Sequence, residues 1–187
     1  TFGLTALTLV PLSLGCRVVY TAKFMPKRIL DLAREHHPTV FIGIPSMYNA
    51  LRLAKSARAD DFSKLKFAVA GGEPLPDAVS DGFHETFGVR ICEGYGMTES
   101  SPVIAVNYAG HRKVGTVGPL LPGVEVRIAA DGEILVRGPN VMQGYHNRPD
   151  ATAETLVDGW LHTGDLGSLD TDGYLSVTGR KKEIFKK

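Results

Sequence analysis

Between residues 93 and 100 the chain reads Glu93-Gly94-Tyr95-Gly96-Met97-Thr98-Glu99-Ser100, a stretch rich in groups that can do chemistry. Tyr95, held between two glycines, offers an aromatic face on which a flat base can stack with little hindrance from its neighbours. Thr98 carries a hydroxyl that can donate to a phosphate oxygen. Glu99 is a hard oxygen ligand suited to Mg²⁺, which keeps most of its waters and takes only one or two protein carboxylates. The same eight residues also read as a glycine-rich loop with a solvated glutamate, and alone they do not choose. A second stretch, Ala70-Gly71-Gly72-Glu73-Pro74-Leu75, lacks side chains at two positions, so its backbone could approach a flat ligand closely. A tight strand-to-helix turn explains it equally well. Cys16 and Cys92 stand far apart without a CxxC or Cys/His cluster, which argues against a disulfide framework or a zinc site and leaves both as expected buried thiols.

In an open parallel sheet, ligands bind beyond the carboxyl ends of the strands, so the elements leading into these stretches decide whether they can act. Residues 16–21 read as a buried strand. Pro26 to His36 reads as a helix with proline in its first turn and Ile29, Leu32, Ala33 and His36 on one face. Residues 39–44 are a second strand, followed by Pro45-Ser46 and a helix through Met47, Leu51 and Ala54. Residues 66–70 are a third strand, running into Gly71-Gly72. A helix with Val79, Phe83 and Phe87 at spacings of four follows, and residues 89–92 are a fourth strand. Such alternation predicts a parallel sheet with crossover helices.

Near residue 110 the period drops to two. Val124, Val126 and Ile128, the turn Asp131-Gly132, then Ile134 and Val136 form a hairpin signature. Two further extended runs, 166–169 and 174–177, flank Asp170-Thr171-Asp172-Gly173. The expected fold class is therefore α/β: a partial, mostly parallel sheet with flanking helices over residues 1–109, then a small antiparallel β-barrel-like subdomain over residues 110–178.

Composition bounds the function. Of 187 residues, 43% are hydrophobic and 22% charged, the balance of a globular chain able to bury a core. With 21 Lys+Arg against 20 Asp+Glu and no long basic stripe, nothing is set up to neutralise a run of phosphates, which argues against nucleic acid as a partner. The first sixteen residues are uncharged, but Pro11 and Gly15 interrupt them and no basic segment precedes them, so translocation is not expected and the location is read as cytoplasmic. Thr1 enters mid-pattern and Lys187 falls inside a charged run; both ends read as cut.

Tyr95-Gly96-Met97-Thr98-Glu99 resembles the signature of the adenylate-forming enzymes, which include acyl-CoA synthetases, peptide-synthetase adenylation domains and luciferases. Gly132-Glu133-Ile134-Leu135-Val136-Arg137-Gly138 with Gly144-Tyr145, then Trp160-Leu161-His162-Thr163-Gly164-Asp165-Leu166, Gly173-Tyr174-Leu175 and Gly179-Arg180-Lys181-Lys182-Glu183-Ile184 resemble later motifs of that family, in its order. Thr1-Phe2-Gly3-Leu4-Thr5 and Ile44-Pro45-Ser46-Met47-Tyr48 resemble earlier ones. The resemblance covers essentially the whole chain.

In enzymes of this type a carboxylate attacks the α-phosphate of ATP to give an acyl-adenylate and pyrophosphate, and a thiol, usually that of coenzyme A, then displaces AMP. The resemblance implies catalytic roles for Thr98 and Glu99, with Glu99 the Mg²⁺ ligand, and places Gly72, Glu73, Pro74, Gly94, Tyr95, Gly96, Met97, Thr98, Asp165 and Arg180 at the ATP or AMP. Asp165 suits ribose, because one carboxylate can accept from two vicinal hydroxyls. Arg180 offers a fork of donors for ribose or phosphate oxygens. Lys182 falls where the family has a hinge, so residues 179–187 would lead to a C-terminal domain. Trp160 and His162 read mainly as packing residues.

Two parts that the family would supply are not in this sequence: the Ser/Thr/Gly-rich loop around the β- and γ-phosphates, and the C-terminal domain with its lysine. The chain thus resembles the central portion of an enzyme, with N- and C-terminal parts of the same protein as its missing partners. Gly3 stands where amino-acid-activating relatives carry an Asp, which favours an uncharged acid. The combination of Gly72-Glu73-Pro74-Leu75 with the run from Gly179 most resembles fatty acid:CoA ligases of medium or long chain. The small-molecule partners implied are a carboxylic acid, ATP and coenzyme A, and the resemblance leaves room for peripheral membrane association of the full enzyme. The alternatives are an acyl carrier protein ligase, another adenylation domain, or a non-catalytic nucleotide-binding module.

Overall fold

The computed structural model describes residues 2–108 and 110–181. Contacts divide the chain into two compact units, one of residues 7–93 and one of residues 1–6 with 94–187. The unit boundary therefore lies inside a strand, whereas the change of sequence period lies near residue 110.

The chain opens in a π-helical stretch, Phe2–Leu9, continued by the short α1, Val10–Ser13. In the unit of residues 7–93, α2 (Pro26–His36) begins with proline, whose fixed φ suits a first turn, and ends where His37 takes a left-handed φ of 47° and donates its N–H to the Ala33 carbonyl. Strand β1 (Val40–Gly43) pairs in parallel with β2 (Phe67–Ala70), and β2 with the first part of β3 (Ile91–Tyr95). Helix α3 (Pro45–Arg52) follows β1, and α4 (Asp77–Phe87) follows β2. Parallel neighbours require such crossovers, and the sequence alternation supplies them. Asp77 sits in the first turn of α4, where a negative charge meets the positive helix end, and Gly88 at φ 70° closes it.

The core of this unit is aromatic. Tyr48, Phe62, Phe83 and Phe87 are almost fully buried together with Leu30, Leu51 and Ile91. The Tyr48 and Phe83 rings meet edge to face at 5.0 Å, and Phe83 lies 4.7 Å from Phe87. The Tyr48 hydroxyl, 2.9 Å from the carbonyls of both Phe41 and Val69, has acceptors at the β1–β2 ladder, as a buried phenol must.

The unit containing residues 94–181 carries antiparallel sheet. Its strands are β4 (Ala105–Val106), β5 (Gly118–Pro119), β6 (Glu125–Ile128), β7 (Glu133–Arg137), β8 (Leu156–Val157), β9 (Trp160–Leu169) and β10 (Tyr174–Arg180), with the helix α5 (Pro149–Thr155) between β7 and β8. The order β5-β10-β9-β7-β6, with β8 on β9, is an open path, so the barrel-like expectation resolves to an open sheet among the described residues. The β6–β7 hairpin pairs Val126 with Val136 and Ile128 with Ile134, in the register the alternation set. Ile134, Val136, Leu161 and Leu175 are fully buried, with Ile104 and Ala105 in the same cluster.

Three sequence expectations change. Residues 16–21 form no strand, and Cys16, Val19 and Tyr20 are exposed; an apolar run becomes a strand only beside an edge that can take its hydrogen bonds. Cys16 is therefore not a buried thiol, and Cys92 is half-buried. The fourth strand starts later and runs on through Tyr95, because Gly94 and Tyr95 pair with β4 opposite Val106 and Ala105. Among the described residues no helix is long and apolar enough to cross a membrane.

Truncating Phe83 removes a ring that touches three other aromatics. Phe83→Ala is expected to cost about 3–5 kcal/mol of stability, read as a lowered urea midpoint by circular dichroism. A shift of under about 1 kcal/mol would show that this cluster does not hold its unit together.

Candidate functional site

Strand β3 delivers Tyr95 to the site. The Tyr95 carbonyl accepts the Ile104 N–H at 2.8 Å, fixing the end of the strand. At Gly96 an added Cβ would overlap the Pro102 carbonyl, so only glycine lets the chain pass there. Residues Thr98–Ser100 then form a single 3₁₀ turn. Its buried anchor is the Ser100 hydroxyl, which accepts the Met97 N–H at 3.0 Å and donates to the Met97 carbonyl at 3.0 Å. The turn leaves Thr98 exposed and Glu99 half-buried.

From the other side of this unit, β9 delivers Asp165. Gly164 takes a φ of 71°, and the Thr163 hydroxyl donates to the Ile134 carbonyl at 2.7 Å while accepting the Asp165 N–H at 3.1 Å. Asp165 is only 5% exposed. A carboxylate so far removed from water needs donors, and it has them: the Tyr95 hydroxyl donates to Oδ2 at 2.6 Å, and Arg180 Nε lies 3.1 Å from Oδ1. Burial, then the bond to Asp165, push the Tyr95 phenol well up, so it remains a protonated donor at neutral pH. The structure thus joins three residues that the sequence named separately, Tyr95, Asp165 and Arg180. The Arg180 side chain is itself 69% exposed.

A second carboxylate supports the turn. Glu133, 4% exposed at the start of β7, accepts the Gly164 N–H at 2.9 Å through Oε1, and its Oε2 lies 2.9 Å from Lys181 Nζ and 3.2 Å from His162 Nδ1. Burial opposes its charge, but the bonds from Lys181, Gly164 and His162 outweigh it and hold the Glu133 carboxyl below its ordinary value. His162, read from sequence as packing, is in fact a polar partner of Glu133. Trp160 matches that reading better: the guanidinium groups of Arg127 and Arg137 lie 4.7 and 4.6 Å from its ring.

The segment after β7 holds the 98–103 turn. Asn140 Nδ2 donates to the carbonyls of Ser100 at 3.0 Å and Val103 at 2.9 Å, the Met142 N–H donates to the Glu99 carbonyl at 2.8 Å, and the Tyr145 hydroxyl donates to Glu99 Oε1 at 2.7 Å. Beyond a charged residue heading the apolar run Ile134–Val136, Glu133, Asn140 and Tyr145 carry no local sequence mark of these roles, although Glu133 and Tyr145 lie inside motifs that carry the family resemblance.

Gly72, Glu73 and Pro74 belong to the unit of residues 7–93, where they form an exposed turn. Gly72 has a φ of 86°, and the Leu75 N–H donates to Glu93 Oε1 at 3.0 Å. Burial raises the Glu93 carboxyl above its ordinary value. Lys182 lies outside the described residues. Among the described residues no group of three or more His, Cys, Asp or Glu side chains could hold a metal unaided. Glu99, half-buried on its turn, is a single hard oxygen ligand, the kind that a Mg²⁺ keeping phosphate oxygens and water can take.

A family model described as AMP-binding enzyme matches residues 1–146. The chain belongs to the AMP-binding enzyme family. It is 36% identical over 196 residues to a long-chain-fatty-acid–CoA ligase of Bacillus subtilis, covering 98% of this chain and 35% of that protein. Among solved structures it is similar to ATP-bound MatB from Rhodopseudomonas palustris, with a TM-score of 0.89 at 33% identity over 97% of this chain and 38% of that one. It is also similar to a malonyl-CoA ligase in ternary product complex with methylmalonyl-CoA and AMP, with a TM-score of 0.85 at 35% identity over 96% of this chain and 41% of that one. The chain thus spans about 35% of the length of that curated relative. Among adenylate-forming ligases, the α/β architecture is the shared one.

Because the Glu133 carboxyl is held below its unfolded value of about 4.3, its contribution to stability is full above that pH and disappears as pH falls through the folded value. Glu133→Gln is therefore expected to be less stable than wild type at pH 7, with the gap narrowing toward pH 3. Urea unfolding followed by the fluorescence of Trp160, the single tryptophan, reads both values. A gap that stays constant into acid would show that the charge on Glu133 is not what supports this turn.

Proposed function

We propose that the protein carrying this chain is an ATP-dependent acid–thiol ligase that activates a fatty acid as its acyl-adenylate and transfers the acyl group to coenzyme A. The observation carrying this reading is the Tyr95–Asp165–Arg180 constellation, an aromatic ring tied to a buried carboxylate beside an exposed guanidinium. Such a set suits an adenosine: a face for the base, an acceptor for vicinal ribose hydroxyls, and donors for ribose or phosphate oxygens. Family membership and the AMP and ATP in the similar structures support it.

In the first step a substrate carboxylate oxygen attacks the α-phosphorus, its P–O bond forms as the bond to pyrophosphate breaks, and the electron pair leaves with pyrophosphate. In the second, a thiol adds at the acyl carbon, loses its proton, and AMP departs with the C–O bonding pair. A carboxylate is a poor electrophile until its oxygen becomes such a leaving group. The work of this chain's residues is placement and charge neutralisation. Asp165 orients the ribose, Tyr95 stacks on the base while its hydroxyl keeps Asp165 fixed, and Thr98 donates to the phosphate. Glu99 would hold Mg²⁺, which supplies positive charge at the phosphate oxygens. Arg180 adds donors from β10, immediately before the run that includes Lys182, the proposed hinge.

The acyl group is inferred from Gly3, which an amine-binding site would replace with a carboxylate, and from likeness around Gly72-Glu73-Pro74-Leu75. Relatives of similar identity act on long-chain fatty acids and bind methylmalonyl-CoA, so the residues, not overall identity, carry this part. We assign the protein to the cytoplasm, residues 1–109 to a larger N-terminal domain and residues 110–178 to its β subdomain.

Titration of a nonhydrolysable acyl-adenylate analogue against the 187-residue chain by calorimetry tests the reading. Asp165→Ala is expected to weaken binding about tenfold to hundredfold, since each charge-assisted hydrogen bond contributes about 1.5–3 kcal/mol. Indistinguishable affinities would remove Asp165 from the ribose role. The chain alone is expected to release no pyrophosphate from ATP and a fatty acid; rapid release would overturn that expectation.

A further inference from the structure

The proposed reaction gives Glu99 a cation to hold, but a lone carboxylate on a one-turn helix has too much rotational freedom to hold it well. The structure shows where that freedom goes. The backbone of Glu99 is pinned by the Met142 N–H, the carbonyl that follows it, at Ser100, is pinned by Asn140, and Tyr145 reaches Oε1 at 2.7 Å. Tyr145 is held in turn. Its N–H donates to the Thr152 hydroxyl at 2.9 Å, and that hydroxyl donates to the Arg148 carbonyl at 2.9 Å. Gly144, at a φ of 154°, lies where a Cβ would meet the Thr152 side chain at 2.8 Å. Residues 140–145 are thus laid along residues 98–103 and fastened at four points, with the phenol as the last.

We propose that Tyr145 is a positioning residue for Glu99: by holding Oε1 it presents Oε2 to a divalent cation carried on a nucleotide phosphate. Carboxylates that ligate metals are commonly held in this way by a hydrogen bond on the oxygen turned away from the ion, and losing that bond typically lowers metal affinity by about ten- to hundredfold. This proposal rests on the ligase reading above. It assigns a role to the Gly144-Tyr145 pair that the nucleotide constellation does not use.

The test measures two ligands on the 187-residue chain, AMP without metal and Mn²⁺·ATP, with Mn²⁺ standing in for Mg²⁺ and read by its electron spin resonance signal. Tyr145→Phe keeps the ring and removes only the hydroxyl. It is expected to leave AMP affinity unchanged and to weaken Mn²⁺·ATP about tenfold, while Glu99→Gln weakens Mn²⁺·ATP at least as much. A Tyr145→Phe chain with wild-type affinity for Mn²⁺·ATP overturns the proposal, and so does equal weakening toward both ligands, which would mark Tyr145 as merely structural. Wild type that binds AMP but not Mn²⁺·ATP also overturns it. Wild type that binds neither removes the nucleotide reading, and the proposal with it.

Discussion

Asp165 is a carboxylate taken out of water, and the cost of doing that is met by the phenol of Tyr95, seventy residues earlier in the chain, and by Arg180. An isolated ion in a low-dielectric interior is costly by several kcal/mol. The pair Tyr95–Asp165 therefore cannot be an incidental contact. It requires β3 to end at one place and the Thr163–Asp165 turn of β9 to stand opposite it. Much of this unit's geometry can be understood as meeting that demand.

On the β3 side, Gly96 clears the Pro102 carbonyl and the Ser100 hydroxyl closes the turn that follows. On the β9 side, Gly164 adopts a backbone conformation that suits glycine, and its N–H is taken up by Glu133. Glu133 also ties in Lys181 at the end of β10, and the Lys181 N–H donates to the Gly164 carbonyl at 2.9 Å. Asp165 and the carboxylate behind it, Glu133, are thus built in opposite ways. Asp165 leans on a phenol and on the guanidinium of an exposed arginine. Glu133 is bonded by an amide, an ammonium group and an imidazole, all from this chain.

The α/β character and the β6–β7 hairpin were legible in the sequence because local periodicity sets them: Val79, Phe83 and Phe87 define one face of α4, and the two-residue spacing of Val126, Ile128, Ile134 and Val136 matches the hairpin register. Residues 16–21 misled, since they are apolar enough for a strand, while strand formation depends on a neighbouring edge that no local pattern reveals. Tyr95, Asp165 and Arg180 were each legible as candidates, yet nothing in the sequence shows that one hydrogen-bonds the next. Glu133, Asn140 and Tyr145 were harder still. Their work is done on backbone groups and on another residue's side chain, so their chemistry appears only when the distant partner is in place.

The central claim is that Tyr95 and Asp165 form one adenosine-binding unit. Nuclear magnetic resonance of the ¹³C,¹⁵N-labelled chain titrated with AMP tests it most directly, by following the Tyr95 ring, the Gly164 amide and the Asp165 carboxyl in the same samples. The account predicts that all three move together along one saturation curve. Saturable AMP binding that leaves the Tyr95 ring and the Asp165 carboxyl unmoved would contradict it.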